Sequence, residues 1–135
     1  MTGERELASL LKTMTPELQD GVFVFCTIGT TDALPATLTP IMLFREREGI
    51  TLILRREHAE LAGLTCQFAA RLITLTVHSA LDAVGFLAAV TAELAAVGIS
   101  VNAVSAFHHD HLFVPEQRAE EALAVLRRMS DQARR

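Results

Sequence analysis

The run from Ile99 to Pro115, ISVNAVSAFHHDHLFVP, gathers Ser105, His108, His109, Asp110 and His111 between two apolar, β-prone segments. Strand side chains alternate faces, so on a continuous strand His109 and His111 share one face, while His108 and Asp110 share the other. Two imidazoles per face suit zinc by type. They fall short of the three or four ligands that zinc takes unless His78 or a second subunit adds one. Asp110 offers an acceptor for an ammonium group or a basic side chain, and Asn102 and Ser105 lie on the strand beside it. Upstream, Ser79-Ala80-Leu81-Asp82 has the spacing of a capping box with Asp in place of Glu, which predicts a helix start there. The free backbone N–H groups of such a start, from Ser79 to Val84, suit a carboxylate. Acceptors, donors and apolar walls together are what a small-molecule pocket needs. Three uses stay open for the cluster: contact with a small molecule, a metal site with His109 and His111 as candidate ligands, or a polar hairpin tip or dimer edge.

Nucleophilic catalysis has less support. Cys26 and Cys66 each sit in apolar, β-like sequence, neither next to a histidine along the chain, and apolar surroundings raise a thiol pKa. No serine-centred elbow and no glycine-rich phosphate loop is present. The expectation is two buried, reduced thiols, with a disulfide or a two-cysteine metal clip as the alternatives. No catalytic residue and no cofactor is expected, and the protein is read as a non-enzyme.

The elements that must position these groups come from a chain of 135 residues, half of them hydrophobic, enough for one compact unit or two very small units sharing a core. Twelve Lys and Arg against sixteen Asp and Glu give a net charge of −4, without a basic block. There is no Trp or Tyr, and only seven Phe. Neither phosphate neutralisation nor base stacking is provided for, so no nucleic-acid partner is expected. MTGERELASLLKTM carries acids and no long apolar core, so it does not read as a signal peptide. No apolar run approaches the roughly 20 residues of a membrane span. The expectation is a cytoplasmic protein with no membrane partner.

In order, 4–14 reads as a short amphipathic helix with Leu7, Leu10, Leu11 and Met14 on one face. Thr15-Pro16-Glu17 looks like a fresh helix start closed by Gly21. The run 22–28 is apolar on both faces, as a central strand is, and 29–40 is a turn-rich excursion. Glu48-Gly49 predicts a hairpin between 41–47 and 50–55, with glycine taking a positive φ. A short helix over 57–62 ends at Gly63, and 64–68 and 72–77 read as two strands. A helix over 79–97 carries Leu81, Val84, Leu87, Thr91 and Leu94 on one stripe and ends at a left-handed Gly98. Strands over 99–106 and 111–114 follow. Pro115 opens the last helix, with Ala119, Ala122, Leu123, Leu126 and Met129 buried and a frayed tail over 130–135. The second half thus reads β-α-β-β-α, and the first is a degenerate version of the same plan.

ITLTVHSALDAVGFLAAVTAELAAVGISVNAVSAFHHDHLFVP resembles an ACT domain, the small module that binds amino acids in allosteric enzymes. The carriers are the helix ending in Gly98-Ile99, the strand through Asn102, and Val104-Ser105 after it. With VFVFC near the start, the whole chain resembles bacterial stand-alone paired ACT proteins. The pairing is similar to that of aspartate kinase regulatory regions and of the eukaryotic cytosolic arginine sensors. The sequence departs from the family at the first β-α loop, where many members have Pro-Gly and this chain has His78-Ser79-Ala80. The resemblance implies an α+β chain of two tandem ferredoxin-like βαββαβ units with antiparallel sheets, a degenerate one over 1–69 and a second over 70–135. It implies a regulatory protein that binds an amino acid and forms a homodimer. No kinase, dehydrogenase or synthase sequence accompanies the units, so control of an enzyme on the same chain is not expected. The implied ligand-binding set is His78, Ser79, Leu81, Asp82, Val84, Asn102, Val104, Ser105, Phe107 and Asp110, with an acid at a place like Asp110 facing the ligand in the arginine sensors.

Overall fold

Segments whose apolar residues alternate become strands, and those whose apolar residues recur every three or four positions become helices. The computed structural model describes Gly3 and residues 5–135. In chain order the elements are α1 (Leu7–Thr13), β1 (Pro16–Leu18), β2 (Phe23–Ile28), β3 (Met42–Arg45), β4 (Ile50–Arg55), α2 (Arg56–Leu61), β5 (Cys66–Leu75), α3 (Phe86–Ala96), β6 (Asn102–Ser105) and β7 (Asp110–Pro115). A 3₁₀ turn, Glu116–Arg118, leads into α4 (Ala119–Ala133). The chain forms two units: 21–70, and a second made of 1–20 together with 71–135.

In the 21–70 unit the strand order is β3-β4-β2-β5, with β5 contributing its first half. The pairings are antiparallel, and the register sets Val24 against Leu54 and Cys26 against Leu52. The period of two therefore puts Val24, Cys26, Ile50, Leu52 and Leu54 on one face, where they form a core with Leu38 and Ala59. Residues 29–41 run as turns and irregular backbone, as their prolines predict.

In the other unit, β5 pairs with β1 and β7, and β6 flanks β7. The core joins Leu10 and Met14 from the first helical segment, Ile73 and Leu75 from β5, Phe86, Val90 and Leu94 from α3, Leu112 and Val114 from β7, and Leu126 from α4. All of these except Phe86 (2%) and Met14 (1%) are fully buried.

Several expectations are corrected. Thr15-Pro16-Glu17 starts a strand, because 16–18 pair antiparallel with 73–75 and long-range pairing overrides the local helix signal. The two strands expected over 64–68 and 72–77 are one, Cys66–Leu75, which stops short of Thr76 and Val77. An extra residue near Phe68, whose φ is 57°, shifts the register against β2. That bulge breaks the alternation the sequence is read by. The helix expected from Ser79 begins only at Phe86, where Gly85 supplies a φ of 93° as N-cap. Asp82 does not close a capping box, since it faces Arg5 instead. The stripe shifts accordingly: Leu81 and Val84 are 66% and 85% exposed, and Phe86, Val90 and Leu94 are the buried positions. Pro115 ends a strand rather than opening a helix. The expected tail is helical to Ala133, with Ser130 buried and its hydroxyl donating to the Met14 carbonyl at 3.0 Å. Gly98 does end α3's segment with a φ of 75°.

The hairpin forms at its expected place, Arg45 opposite Ile50, with the Glu46 N–H bonded to the Gly49 carbonyl. Gly49 does not take a positive φ there. Glycine is required because a Cβ would stand 2.7 Å from Thr27 Oγ1 and 2.8 Å from the Ile28 carbonyl oxygen. Gly49→Ala is therefore expected to destabilise by about 1–3 kcal/mol, the range for overpacked sites. Leu94→Ala, at a fully buried position of α3, is expected to cost about 2–5 kcal/mol. Urea denaturation checks both.

Candidate functional site

Asp110 opens β7 directly opposite Ser105, the last residue of β6, and the Ala106 N–H closes the intervening loop on the His109 carbonyl. Residues directly opposite in an antiparallel pair project to one side, so the Ser105 hydroxyl donates to Asp110 Oδ1 at 2.6 Å. From the loop after β5, the Ser79 hydroxyl donates to Oδ2 at 3.2 Å. The carboxylate is only 6% exposed, and no cation is paired with it among the described residues. A buried carboxylate held by neutral hydroxyls alone lacks the charge partner that usually offsets its desolvation.

Beside it lies a cavity of about 60 Å³ lined by Ser79, Ala80, Leu81, Ala83, Phe86, Leu87, Ser105, Ala106 and Asp110. The first turn of α3, at Phe86 and Leu87, has no side-chain cap. Its leading N–H groups have no partner within the helix. The loop over this cavity is held from outside. Gly3 approaches so closely that a Cβ would stand 2.7 Å from the Ala80 nitrogen. Arg5 meets both Asp82 oxygens, at 2.9 and 3.0 Å. The Arg5 guanidinium holds the Asp82 carboxyl below the usual range.

Of the residues singled out in the sequence, Ser79, Leu81, Ser105 and Asp110 converge on the cavity. Asp82 and Val84 are exposed on the loop, and Phe107 is 62% exposed at the hairpin tip. Asn102 and Val104 fall on the alternate positions of β6 from Ser105, and neither lines the cavity. His78 packs by ring contact with Phe107 and His108. Ala80, Ala83, Phe86, Leu87 and Ala106 line the cavity without having been singled out. The signal for the last helix-borne pair was Gly85, whose position marks the true helix start.

His111 is half-buried and turned to another use. Its Nδ1 lies 3.0 Å from Thr74 Oγ1, which accepts from Gln19 Nε2 at 3.2 Å. The rings of His109 and His111 meet edge to face, their centroids 6.3 Å apart. Among the described residues no group of three or more His, Cys, Asp or Glu side chains is placed to hold a metal ion.

The ACT-domain profile matches residues 2–71, and a second ACT-domain profile matches 67–128. The chain belongs to the ACT-domain family. It consists of two tandem ACT domains in a mixed α+β fold. A protein of unknown function from Vibrio cholerae, described as a possible transport protein, is 46% identical to it. The two chains superpose with a TM-score of 0.83 over 92% of this chain and 95% of the Vibrio protein. An Agrobacterium tumefaciens protein shares the fold at 17% identity and TM-score 0.74, covering 87% of this chain and 89% of its own. So does the regulatory subunit of aspartate kinase from Thermus flavus, at 12% identity and TM-score 0.64, covering 84% of this chain and 95% of its own. No curated protein matches the chain. Among the described residues no helix is long and apolar enough to cross a membrane.

Burial, followed by the charge of His109, lowers the His111 pKa below the ordinary 6.5, against the opposing pull of Asp110. The unfolded chain therefore takes up a proton at this residue near pH 6.5, and the folded chain only at lower pH. Stability present above pH 6.5 is lost as the pH falls below it. Urea midpoints at pH 7.5 and pH 5.5 are expected to converge partly in His111→Gln relative to the parent chain, which measures the histidine's share of the acid loss.

Proposed function

We propose that this ACT protein is a non-catalytic regulator that binds an amino acid through its ammonium group at Asp110. The single observation that carries the reading is the buried Asp110 carboxylate, satisfied by the hydroxyls of Ser79 and Ser105 and, among the described residues, lacking a cation. An incoming ammonium supplies that cation and forms charge-assisted hydrogen bonds, which are about twice as strong as neutral ones. The uncapped first turn of α3 borders the same cavity and offers N–H groups to the ligand's carboxylate. Leu81, Phe86 and Leu87 supply apolar walls.

At about 60 Å³ the cavity is well below the roughly 300–1,000 Å³ of established ligand pockets. Binding in this reading opens the loop from Ser79 to Gly85, whose residues Leu81 and Val84 already face solvent. Differential affinity for the opened form is then what changes the surface offered to a partner. Pairing of two copies belongs to the same proposal. β3 is the last strand of its sheet edge and leaves Leu43 and Phe44 37% and 62% exposed, the kind of edge that a second copy covers. A division into repeats near residue 70, where the two family matches overlap, is also part of it.

A thermal-shift panel of the twenty amino acids tests the reading. One of them, at a concentration about a hundredfold above its Kd, is expected to raise the melting temperature by several degrees. Asp110→Asn is expected to abolish that rise, because the amide carries no charge, while Asp82→Ala retains it. A flat panel, or a rise that survives in Asp110→Asn, sinks the proposal.

A further inference from the structure

Away from the Asp110 cavity, in the 21–70 unit, two thiols stand side by side. Cys26 of β2 and Cys66 at the start of β5 are direct cross-strand partners, and both are free. Their sulfurs are 3.2 Å apart, with the Cys26 thiol donating to Cys66 Sγ and the Cys66 thiol donating to the Leu64 carbonyl at 3.1 Å. Opposed residues in an antiparallel pair have Cα atoms roughly 4.5–5.5 Å apart, inside the roughly 4.4–6.8 Å span that a disulfide bridges without backbone movement. The two thiols are not equivalent. Cys26 is buried in the core with Val24, Leu52 and Leu54, whereas Cys66 is half-buried at its margin.

We propose that Cys26 and Cys66 form an oxidation site, at which a small hydroperoxide converts the pair into a disulfide joining β2 to β5. The half-buried Cys66 reacts first. Its thiolate attacks one peroxide oxygen, the O–O bond breaks, and the other oxygen leaves as hydroxide and takes up a proton. Cys66 is now a sulfenic acid. The Cys26 thiol then loses its proton and attacks Cys66 Sγ, the S–O bond breaks, and hydroxide leaves as water. Two thiols and one hydrogen peroxide give one disulfide and two waters, with two electrons passing from the sulfurs to the peroxide. Burial first, then the contact with Cys66, pushes the Cys26 thiol up to about 12. Cys26 therefore stays protonated and unreactive towards the oxidant, and it acts only when an electrophilic sulfur stands beside it.

The test is hydrogen peroxide on the full, folded chain, followed by unfolding, alkylation and intact-mass measurement. The expected product is lighter by about 2 Da, the loss of two hydrogens. Both thiols disappear from the alkylation pattern together, at a rate independent of protein concentration, and dithiothreitol restores them. In Cys66→Ser, Cys26 is expected to remain alkylable under the same treatment. Addition of about 16 or 32 Da at Cys66 with Cys26 still free would overturn the proposal. So would disulfide-linked dimers as the sole product, or no reaction at a peroxide dose that oxidises the urea-unfolded chain. The parent chain alone decides the outcome if the serine variant fails to fold.

Discussion

Three short residues near the N-terminus complete the sheet on which the Asp110 cavity is built. Pro16, Glu17 and Leu18 pair with Leu75, Thr74 and Ile73, and flanking bonds extend the ladder from Gln19 to Leu72 and from Thr76 to Thr15. Proline lacks an N–H and is confined to strands whose outer side needs none, and β1 pairs with β5 alone. This pairing delivers the preceding helix to its place. Leu10 and Met14 enter the core beside Ile73 and Leu75, and the Met14 carbonyl receives the buried Ser130 hydroxyl from α4. Removing the pairing would expose fully buried Ile73 and Leu75, so burial and backbone hydrogen bonding enforce the same register.

On that frame the Asp110 site combines two opposed tendencies. The strand pair β6–β7 is regular enough to hold Ser105 and Asp110 in fixed opposition. The segment from Val77 to Gly85 is neither helix nor extended strand, and it carries the Ser79–Asp110 bond and the exposed Arg5–Asp82 ion pair. That ion pair is exposed and contributes little, so the packing of Val77, Ala80 and Ala83 and the close approach of Gly3 carry most of what holds the segment.

Much of this was legible in the sequence. The βαββα order, Gly98 as terminator and the apolar strand at Phe23 follow from periodicity and turn chemistry, and Ser105 and Asp110, which the sequence places near each other, do meet side by side. What was illegible was settled by partners distant in the chain. Thr15-Pro16-Glu17 carries a sound local helix signal, and only residues 73–75 turn it into a strand. Ser79 and Asp82 have the spacing of a cap, but their side chains are taken by Asp110 and Arg5. With those side chains so engaged, the helix starts at the glycine instead, and the apolar wall is Phe86 and Leu87 rather than Val84. At Phe68 one added residue reversed the alternation, so a single strand reads as two.

The separation between β1 and the strand it pairs with also bears on how the chain is made. Residues 7–18 leave the ribosome before everything they pack against, and their sheet partner is 55 residues or more downstream by the Leu18–Ile73 pairing. Synthesis proceeds at about 5–20 residues per second, so this apolar helix and strand stay without their core for several seconds. The unit spanning 21–70 is contiguous in sequence and is complete by then. Vectorial synthesis therefore gives the two units an order of assembly: the interior one closes first, and the one bearing Asp110 closes only after α4, which packs with Leu10 and Met14, has emerged.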